Sequence, residues 1–501
     1  MKTKAILLGG YFCVLVFHFQ NFWFAPKSIL LTSSVIIFSL LVFQFPILAE
    51  SLHRHHLKSF IYSLLFFLMI ILPIQNLSWG DGILLLQTNY LESRLFGFQF
   101  SLDEIGEGAM HSFARFVLEI FLDEVSLDLP FRLVSTLAGF WFLFRLIKIE
   151  NSLPFVSSSG ILLFFGYLEN YSLVSLLLFL HFFWLFSKYK TFTKKDMVLG
   201  TLLACFISSF HLIGGHLAFV YLFIWWKKSR KVSTAILCGS LSLIWFGLLF
   251  GYFLFVHDPP VDRMGTHLLH PPIYPWKRMI SMNHLKEMLS VIWFVGWAPV
   301  LATLVTLSKL GYQKLKEFAS LPENQIVLIG ILAFSFHLFR HNPMLGYPAD
   351  WDLMGFLWIP SVIWAYSLNK SFPQLSTYYN SIWILSILLT IVFAYENSHF
   401  RIDLPLSQRK RMIDEFVLIW NPKSYASEHR KFGAKMDFFY FEKERETDCE
   451  ALSDLHESLL ESQREWNQGE PLSNKTIPDF LNRLTLLHTL VIERSAKAKC
   501  N

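Results

Sequence analysis

Acidic residues beside apolar runs are the groups in this chain best suited to chemistry. Asp81 lies between two glycines, in Gly80-Asp81-Gly82, directly after a long apolar stretch. A carboxylate on a flexible turn could act as a general base and take a proton from a hydroxyl group. The same three residues also suit the end of a helix followed by a turn. Asp81 alone therefore leaves both interpretations open, and we predict it as a catalytic candidate.

Two other acidic segments interrupt apolar sequence in a similar way. Glu169 lies in GYLENYS, where an acid needs a cavity or a partner unless the segment is only a tight turn at the membrane surface. Asp350 and Asp352 lie in YPADWD, just before an apolar run, where acids are also ordinary helix-capping residues. We predict Glu169 and Asp352 as catalytic candidates and Asp350 as a substrate-binding candidate.

A third group of acids follows Asp81 in the same long polar stretch. Asp103, Glu107 and His111 are spaced four residues apart and would share one face of a short helix. Such a face could bind an acceptor or a divalent metal, or it could be a solvated surface with acids near the helix N-terminus. We predict that Glu107 contacts substrate. The sequence identifies no metal site and no cofactor, although Mg²⁺ or Mn²⁺ would suit these acids.

Histidine and arginine side chains could bind an anionic group such as a phosphate. His337, Arg340 and His341 fall on one helical face at the end of an apolar run. His211 and His216 flank a Gly-Gly pair, and Arg263 lies in the Pro- and His-rich loop 257–287. Each also suits a satisfied turn or a plain surface loop. The substrate-binding candidates of this type are His337, Arg340, His341, His211, His216 and Arg263.

The elements that must position these groups are membrane helices. Of the 501 residues, 53% are hydrophobic and only 16% are charged, with 52 Phe and 16 Trp. A soluble protein of this size could not bury so much apolar surface. The net charge of +5 is small, and its cations form short clusters between apolar runs, which argues against a nucleic-acid partner. The sequence contains no P-loop, GxSxG, HExxH or CxxC motif.

Apolar runs and loop charges together predict an all-α polytopic membrane protein with about 13 transmembrane helices. With a cytoplasmic N-terminus, every second loop is rich in Lys and Arg, which places the acidic and His-rich loops outside. The regions 154–187 and 196–226 could be broken or re-entrant. The predicted spans are 6–24, 28–49, 59–78, 131–149, 154–167, 171–187, 196–212, 216–226, 232–256, 288–308, 326–340, 353–368 and 380–395.

Three regions follow from these spans. Residues 1–58 hold two N-terminal helices, and residues 59–395 form the transmembrane core. Residues 396–501 form a small, soluble helical region. The core carries outer loops at 79–130, 257–287 and 341–352, and we expect interfacial helices in the first of them. Cys449 and Cys500 could pair if the C-terminal region lies outside the cytoplasm, which the sequence does not decide.

This combination resembles the GT-C superfamily of membrane glycosyltransferases, which includes protein O-mannosyltransferases and lipid A aminoarabinose transferases. The resemblance covers about residues 59–400 and is carried by the acid in Gly80-Asp81-Gly82 at the start of a long outer loop, the interfacial helices after it and many short-looped helices. The segments GYLENYS and YPADWDLMG are similar to elements of uncharacterised bacterial relatives. In one departure, the family's acid follows the first helix, whereas Asp81 follows the third.

The resemblance implies a sugar donor on a polyprenyl phosphate, with a glycan, lipid or protein as acceptor. Transfer would take place on the periplasmic side of a bacterial inner membrane, among membrane lipid. Asp81 would deprotonate the acceptor hydroxyl, and Arg340, Arg263 or His337 would hold the phosphate during transfer with inversion.

Three other functions remain open at this point. A multi-pass transporter or flippase of lipid-linked glycans would need ionisable groups near the bilayer midplane on broken helices. A glycan polymerase or ligase would share the side and the donor. A non-catalytic scaffold would leave the outer polar residues unexplained.

Overall fold

The computed structural model describes residues 55–74, 104–122, 125, 128–256, 273–274, 276–341 and 351–398. Short 3-10 helices and one π-turn, Trp225–Ser229, join the α-helices. The α-helices are α1 His55–Ile71, α2 Ile105–Phe121, α3 Leu129–Ile147, α4 Ser172–Lys188, α5 Lys194–Phe210, α6 Leu217–Ile224, α7 Val232–Val256, α8 Trp276–Met279, α9 Met282–Ser320, α10 Pro322–Arg340, α11 Trp351–Met354, α12 Trp358–Ser371 and α13 Ser376–Ser398.

The described residues form an all-α membrane protein, as the composition predicts. Six of the helices in this part of the chain, α3, α4, α7, α9, α10 and α13, are long and apolar enough to cross a membrane. The one β-type pairing among the described residues is an isolated bridge between Ile273 and His341. The predicted spans 6–24 and 28–49 and the C-terminal region from residue 399 lie outside the described residues.

The two ends of the helix bundle carry different side chains. At one end, Lys58 donates to the carbonyl oxygens of Ile147 (2.9 Å) and Ile149 (2.6 Å), which ties the start of α1 to the end of α3. At the same end, Lys190 pairs with Glu323 at 3.1 Å. We call this the basic end. At the opposite, polar end, α1, α5 and α10 finish and α3, α4 and α11 begin.

Residues 153–166, the crossing segment, return from the basic end to the polar end without forming an α-helix. The segment contains two 3-10 helices, Leu153–Val156 and Ser159–Phe164, and all its residues are buried. Side chains from other helices satisfy its backbone: Ser135 donates to the Leu163 carbonyl and Ser386 to the Ser157 carbonyl, both at 2.7 Å. Irregular backbone is tolerated at membrane depth where protein surrounds it. The predicted span 154–167 is therefore broken and not a regular helix.

The crossing segment packs tightly because it carries a glycine opposite a large ring. A Cβ atom at Gly160 would lie 2.3 Å from Cγ of Trp358 in α12. Phe155 of the segment stacks on Tyr366 of the same helix with ring centroids 4.7 Å apart. These contacts fix the register between α12 and the crossing segment.

Two predicted boundaries are wrong in detail. α9 begins at Met282, inside the predicted loop 257–287, because the Ser281 hydroxyl accepts a hydrogen bond from the His284 N–H and caps the helix there. The predicted span 216–226 has only eight α-helical residues, Leu217–Ile224, and continues as the π-turn.

Candidate active site at the polar end

The predicted catalytic carboxylate of Asp352 lies in the first turn of α11 and is buried. Its Oδ1 accepts a hydrogen bond from the Leu353 N–H at 2.9 Å, and its Oδ2 accepts one from the Tyr167 phenol at 3.1 Å. The first bond is local to the start of α11, whereas the second comes from the residue that follows the crossing segment. Asp352 is therefore a tertiary contact of the polar end as well as a local acceptor.

Glu169 and its neighbour Asn170 are also buried at this end. The Asn170 side-chain amide donates to Oε2 of Glu104 at 2.7 Å, and Oε1 of Glu104 lies 3.8 Å from Nε2 of His211. His211 is buried as well, and a separation of 3.8 Å is too long for a hydrogen bond. We therefore regard the contact between Glu104 and His211 as polar and not as an ion pair.

Glu107 has a clear structural role. It is fully buried, and its Oε1 accepts a hydrogen bond from the Val174 N–H at 2.7 Å in the first turn of α4. The N-cap residue of α4, Tyr171, provides no side-chain cap. Glu107 of α2 therefore caps α4 from another helix, where the N-terminal N–H groups favour an acceptor. Burial raises the pKa of Glu107 well above its usual range.

The face of α2 that carries Glu107 and His111 is buried against the bundle, so the alternative of a solvated face is wrong for these two residues. The apolar side chains Phe113, Phe116 and Ile120 of the same helix are exposed. This distribution fits the predicted helix at a membrane interface, with polar groups inward and apolar groups toward lipid. Asp103 lies outside the described residues.

The histidine candidates gather at the end of α10. The rings of His216 and His337 meet edge to face with centroids 4.9 Å apart, and those of His337 and His341 lie 4.8 Å apart. His337 is 6% exposed, and in the described part of the chain its Nε2 has no hydrogen-bond partner. The Arg340 guanidinium lies over the Phe336 ring, 5.6 Å from the ring centre.

Aromatic side chains connect the acidic group to the histidines. The Tyr171 ring meets His211 at 5.3 Å, and His211 stacks on Phe356, which follows α11, at 6.4 Å. Phe356 in turn stacks on Phe334 of α10 at 6.4 Å. His211 thus lies between Glu104 on one side and the helix that carries His337 on the other.

Sequence reasoning missed several residues that organise this end. Arg132 donates to the carbonyl oxygens of Ile74 (3.1 Å) and Gly166 (3.2 Å) and pairs with Asp128 at 2.6 Å. Its position in the first turn of an apolar helix was a usable signal, because a charge there needs a partner. No local signal predicts the hydrogen bond from Tyr167 to Asp352.

Asp81, Arg263 and Asp350 lie outside the described residues, so their predicted roles stay predictions. Among the residues that the structure describes, no group of three or more His, Cys, Asp or Glu side chains could hold a metal ion. Comparison of the chain with protein families, with curated proteins and with solved structures gives no match.

Proposed function

We propose that this protein is a GT-C-like membrane glycosyltransferase that moves a sugar from a polyprenyl-phosphate donor to an extracytoplasmic glycan, lipid or protein. The observation that supports the proposal is the gathering of buried acids and imidazoles at one end of an apolar bundle. A lipid-linked donor would reach such an end from the membrane, and a polar acceptor would reach it from the aqueous side. In this proposal the chain crosses a bacterial inner membrane about 13 times. Its polar end faces the periplasm.

The reaction needs an acid that can accept a proton and cations or donors that can hold a phosphate. In the proposed step, a carboxylate takes the proton from the acceptor hydroxyl, and that oxygen attacks the anomeric carbon of the sugar. The bond from the anomeric carbon to the phosphate oxygen breaks, and polyprenyl phosphate leaves with the electron pair. We assign the base to Asp81 and supporting roles to Glu169 and Asp352.

The leaving phosphate carries negative charge, which positive groups and hydrogen-bond donors stabilise. We assign this role to Arg340, Arg263 and the His337 imidazole, with His211, His216 and His341 beside it. Asp350 is proposed to contact the substrates, whereas the fully buried Glu107, predicted from sequence as a substrate contact, supports the site by capping α4. Mg²⁺ or Mn²⁺ enters no step of this scheme.

The test is a transfer assay on the purified full chain with a labelled polyprenyl-phosphate sugar, together with glycolipid profiling of cells. Asp81→Asn is expected to lower the rate by about a hundredfold or more, since general-base catalysis contributes about 10²–10⁴-fold, and Asp352→Asn is expected to lower it by a smaller factor. Glu317→Gln is the matched control, because Glu317 is exposed at the basic end beside Lys314. An unchanged rate in a well-inserted Asp81 variant would rule out the proposed base.

A transporter or flippase of lipid-linked glycans is the second candidate, and the broken crossing segment favours it. Transporters use discontinuous helices near the bilayer midplane to bind their substrates. However, residues 153–166 carry no Asp, Glu, Lys, Arg or His. Two of their serines donate within the protein, Ser157 to the Pro154 carbonyl at 2.7 Å and Ser158 to the Val295 carbonyl at 2.6 Å. Proteoliposomes loaded with a fluorescent lipid-linked glycan separate the two functions, because a transporter moves the intact glycan and a transferase cleaves it from its phosphate.

A further inference from the structure

The turn between α6 and α7 concentrates positive charge at the basic end. Lys227, Lys228, Arg230 and Lys231 occupy four of five consecutive positions in the sequence KKSRK. The chain reverses here through the π-turn Trp225–Ser229 and through Arg230, whose φ of 48° is left-handed. The Arg230 N–H bonds to the Trp225 carbonyl at 2.9 Å, which closes the turn. All four cationic residues are exposed.

These four cations differ from their neighbours in having no acidic partner within the described part of the chain. Lys188 pairs with Asp196 at 2.5 Å, and Lys190 pairs with Glu323 at 3.1 Å. Among the described residues, no carboxylate lies within ion-pair distance of the four cations of the turn. Their charge is therefore available to an external anion.

Aromatic rings hold the cations in place without neutralising them. Lys227 Nζ lies 4.6 Å from the centre of the Trp226 ring, and the Arg230 guanidinium approaches the same ring at 5.7 Å. Lys228 Nζ lies 4.6 Å from the centre of the Tyr189 ring and donates to the Lys190 carbonyl at 3.3 Å. Such contacts orient a cation and leave its charge intact.

The surfaces on both sides of the turn are apolar and exposed in the described part of the chain. On α6, Phe219 and Leu222 are 47% and 60% exposed, and on α7, Val232 and Ile236 are 67% and 63% exposed. The half-exposed indole of Trp226 lies between these apolar surfaces and the cations. Tryptophan at this depth is typical of the headgroup level of a bilayer. A soluble anion would not explain why the charges adjoin exposed apolar side chains.

We propose that this turn is a binding site for the phosphate headgroup of an anionic phospholipid in the leaflet at the basic end. Lys227 and Arg230 contact the phosphate, and Trp226 lies against the glycerol and upper acyl region. Lys228 and Lys231 contribute attraction at longer range, since clusters of Lys and Arg next to a membrane helix attract anionic lipid. The site lies at the opposite end of the bundle from Glu169 and Asp352. It does not depend on the proposed glycosyl transfer.

The experiment measures lipid retention by native mass spectrometry, and thermal unfolding of the full chain in detergent with added phosphatidylglycerol or phosphatidylcholine. The wild type is expected to retain phosphatidylglycerol preferentially and to unfold at a higher temperature with it. Lys227→Gln with Arg230→Gln should lower this retention about tenfold or more, because each cation near the surface contributes a several-fold factor. Two cations remain in the turn, which preserves the orientation of the chain.

The matched control is Lys314→Gln with Lys316→Gln, which removes the same charge from the same end of the bundle. Lys314 already pairs with Glu317 at 2.9 Å, so this variant should keep the wild-type preference. Equal retention of both lipids by the wild type, or an unchanged preference in the Lys227/Arg230 variant, would overturn the proposal. The same holds if millimolar inorganic phosphate raises the unfolding temperature as much as phosphatidylglycerol does. If the double variant does not fold, Lys227→Gln alone provides the comparison.

Discussion

Tyr167 donates a hydrogen bond from its phenol to Oδ2 of Asp352, 3.1 Å away and 185 residues later in the chain. Tyr167 follows the crossing segment, and Asp352 lies in the first turn of α11, so the bond joins two elements of the polar end. Both side chains are buried. A buried carboxylate that accepts such a bond is held in one orientation, which favours proton transfer at a defined position.

Replacing Tyr167 by Phe tests this relationship, because it removes the hydroxyl and keeps the ring. We expect the free energy of unfolding to fall by about 1 kcal/mol, the usual contribution of one hydrogen bond. We also expect slower sugar transfer, because Asp352 loses its orientation. Tyr62→Phe is the control, since Tyr62 donates a buried 2.6 Å hydrogen bond to Ser152 at the basic end. Equal rate losses in the two variants would show a general folding effect and no positioning role for Tyr167.

Removing the Glu107 side chain should destabilise the protein through α4. Glu107→Ala leaves the N–H of Val174 without its 2.7 Å acceptor, and we expect a loss of about 1–2 kcal/mol in thermal unfolding. Glu107→Gln keeps an oxygen acceptor and should cost less. Glu119→Ala on the same helix breaks only the exposed pair with Arg115 and should change stability by less than about 1 kcal/mol. Similar losses for the Glu107→Ala and Glu119→Ala variants would contradict the capping role.

The stability of the protein should also depend on pH through Glu107. Burial raises the pKa of Glu107 in the folded state well above its value of about 4.3 in the unfolded chain. At pH values well below the unfolded value the carboxyl is neutral in both states and causes no difference in stability. As the pH rises above the unfolded value, the unfolded chain ionises first, and the folded state loses stability until the pH passes the folded value.

The pH effect is measured as the difference in unfolding free energy between the wild type and Glu107→Gln, from about pH 4 to pH 8. The wild type should lose stability relative to the variant as pH rises, by no more than about 1.4 kcal/mol per pH unit. Asp196→Asn at the N-terminus of α5 provides a flat control, because the Asp196 carboxylate accepts a hydrogen bond from Lys188 and its contribution to stability is already present above about pH 4. A difference that does not change with pH would show that Glu107 titrates alike in both states.

Gly160 should tolerate no side chain. A Cβ atom at this position would lie 2.3 Å from Cγ of Trp358, so Gly160→Ala forces a shift of α12 against the crossing segment. We expect a loss of about 1–3 kcal/mol or a failure to fold, as measured by thermal unfolding and yield. Gly239→Ala in α7 is the matched control, because nothing lies within 4 Å of its Cβ position. That substitution should be neutral or stabilising by up to about 1 kcal/mol, since alanine favours helix over glycine.

The membrane helices are predictable from sequence because their signals are local. The predicted span 232–256 coincides with α7, Val232–Val256, since a continuous apolar run with basic residues before it determines a helix without reference to other elements. The 3-10 helices at 153–164 were not predictable as such. Their backbone geometry depends on hydroxyl groups from Ser135 and Ser386, which lie on other helices.

Composition, apolar runs and loop charges by themselves indicated an all-α membrane protein, and they identified the acids and histidines that border its apolar runs. Only the tertiary structure decided which of these groups meet, such as His216 with His337; it also brought Glu104 beside His211 and made Glu107 the cap of α4. The physical reason is the distance along the chain over which each kind of interaction acts. Apolar burial in a bilayer is set by each segment alone, whereas a polar side chain in an apolar bundle is defined by the partner that satisfies it, which comes from elsewhere in the chain.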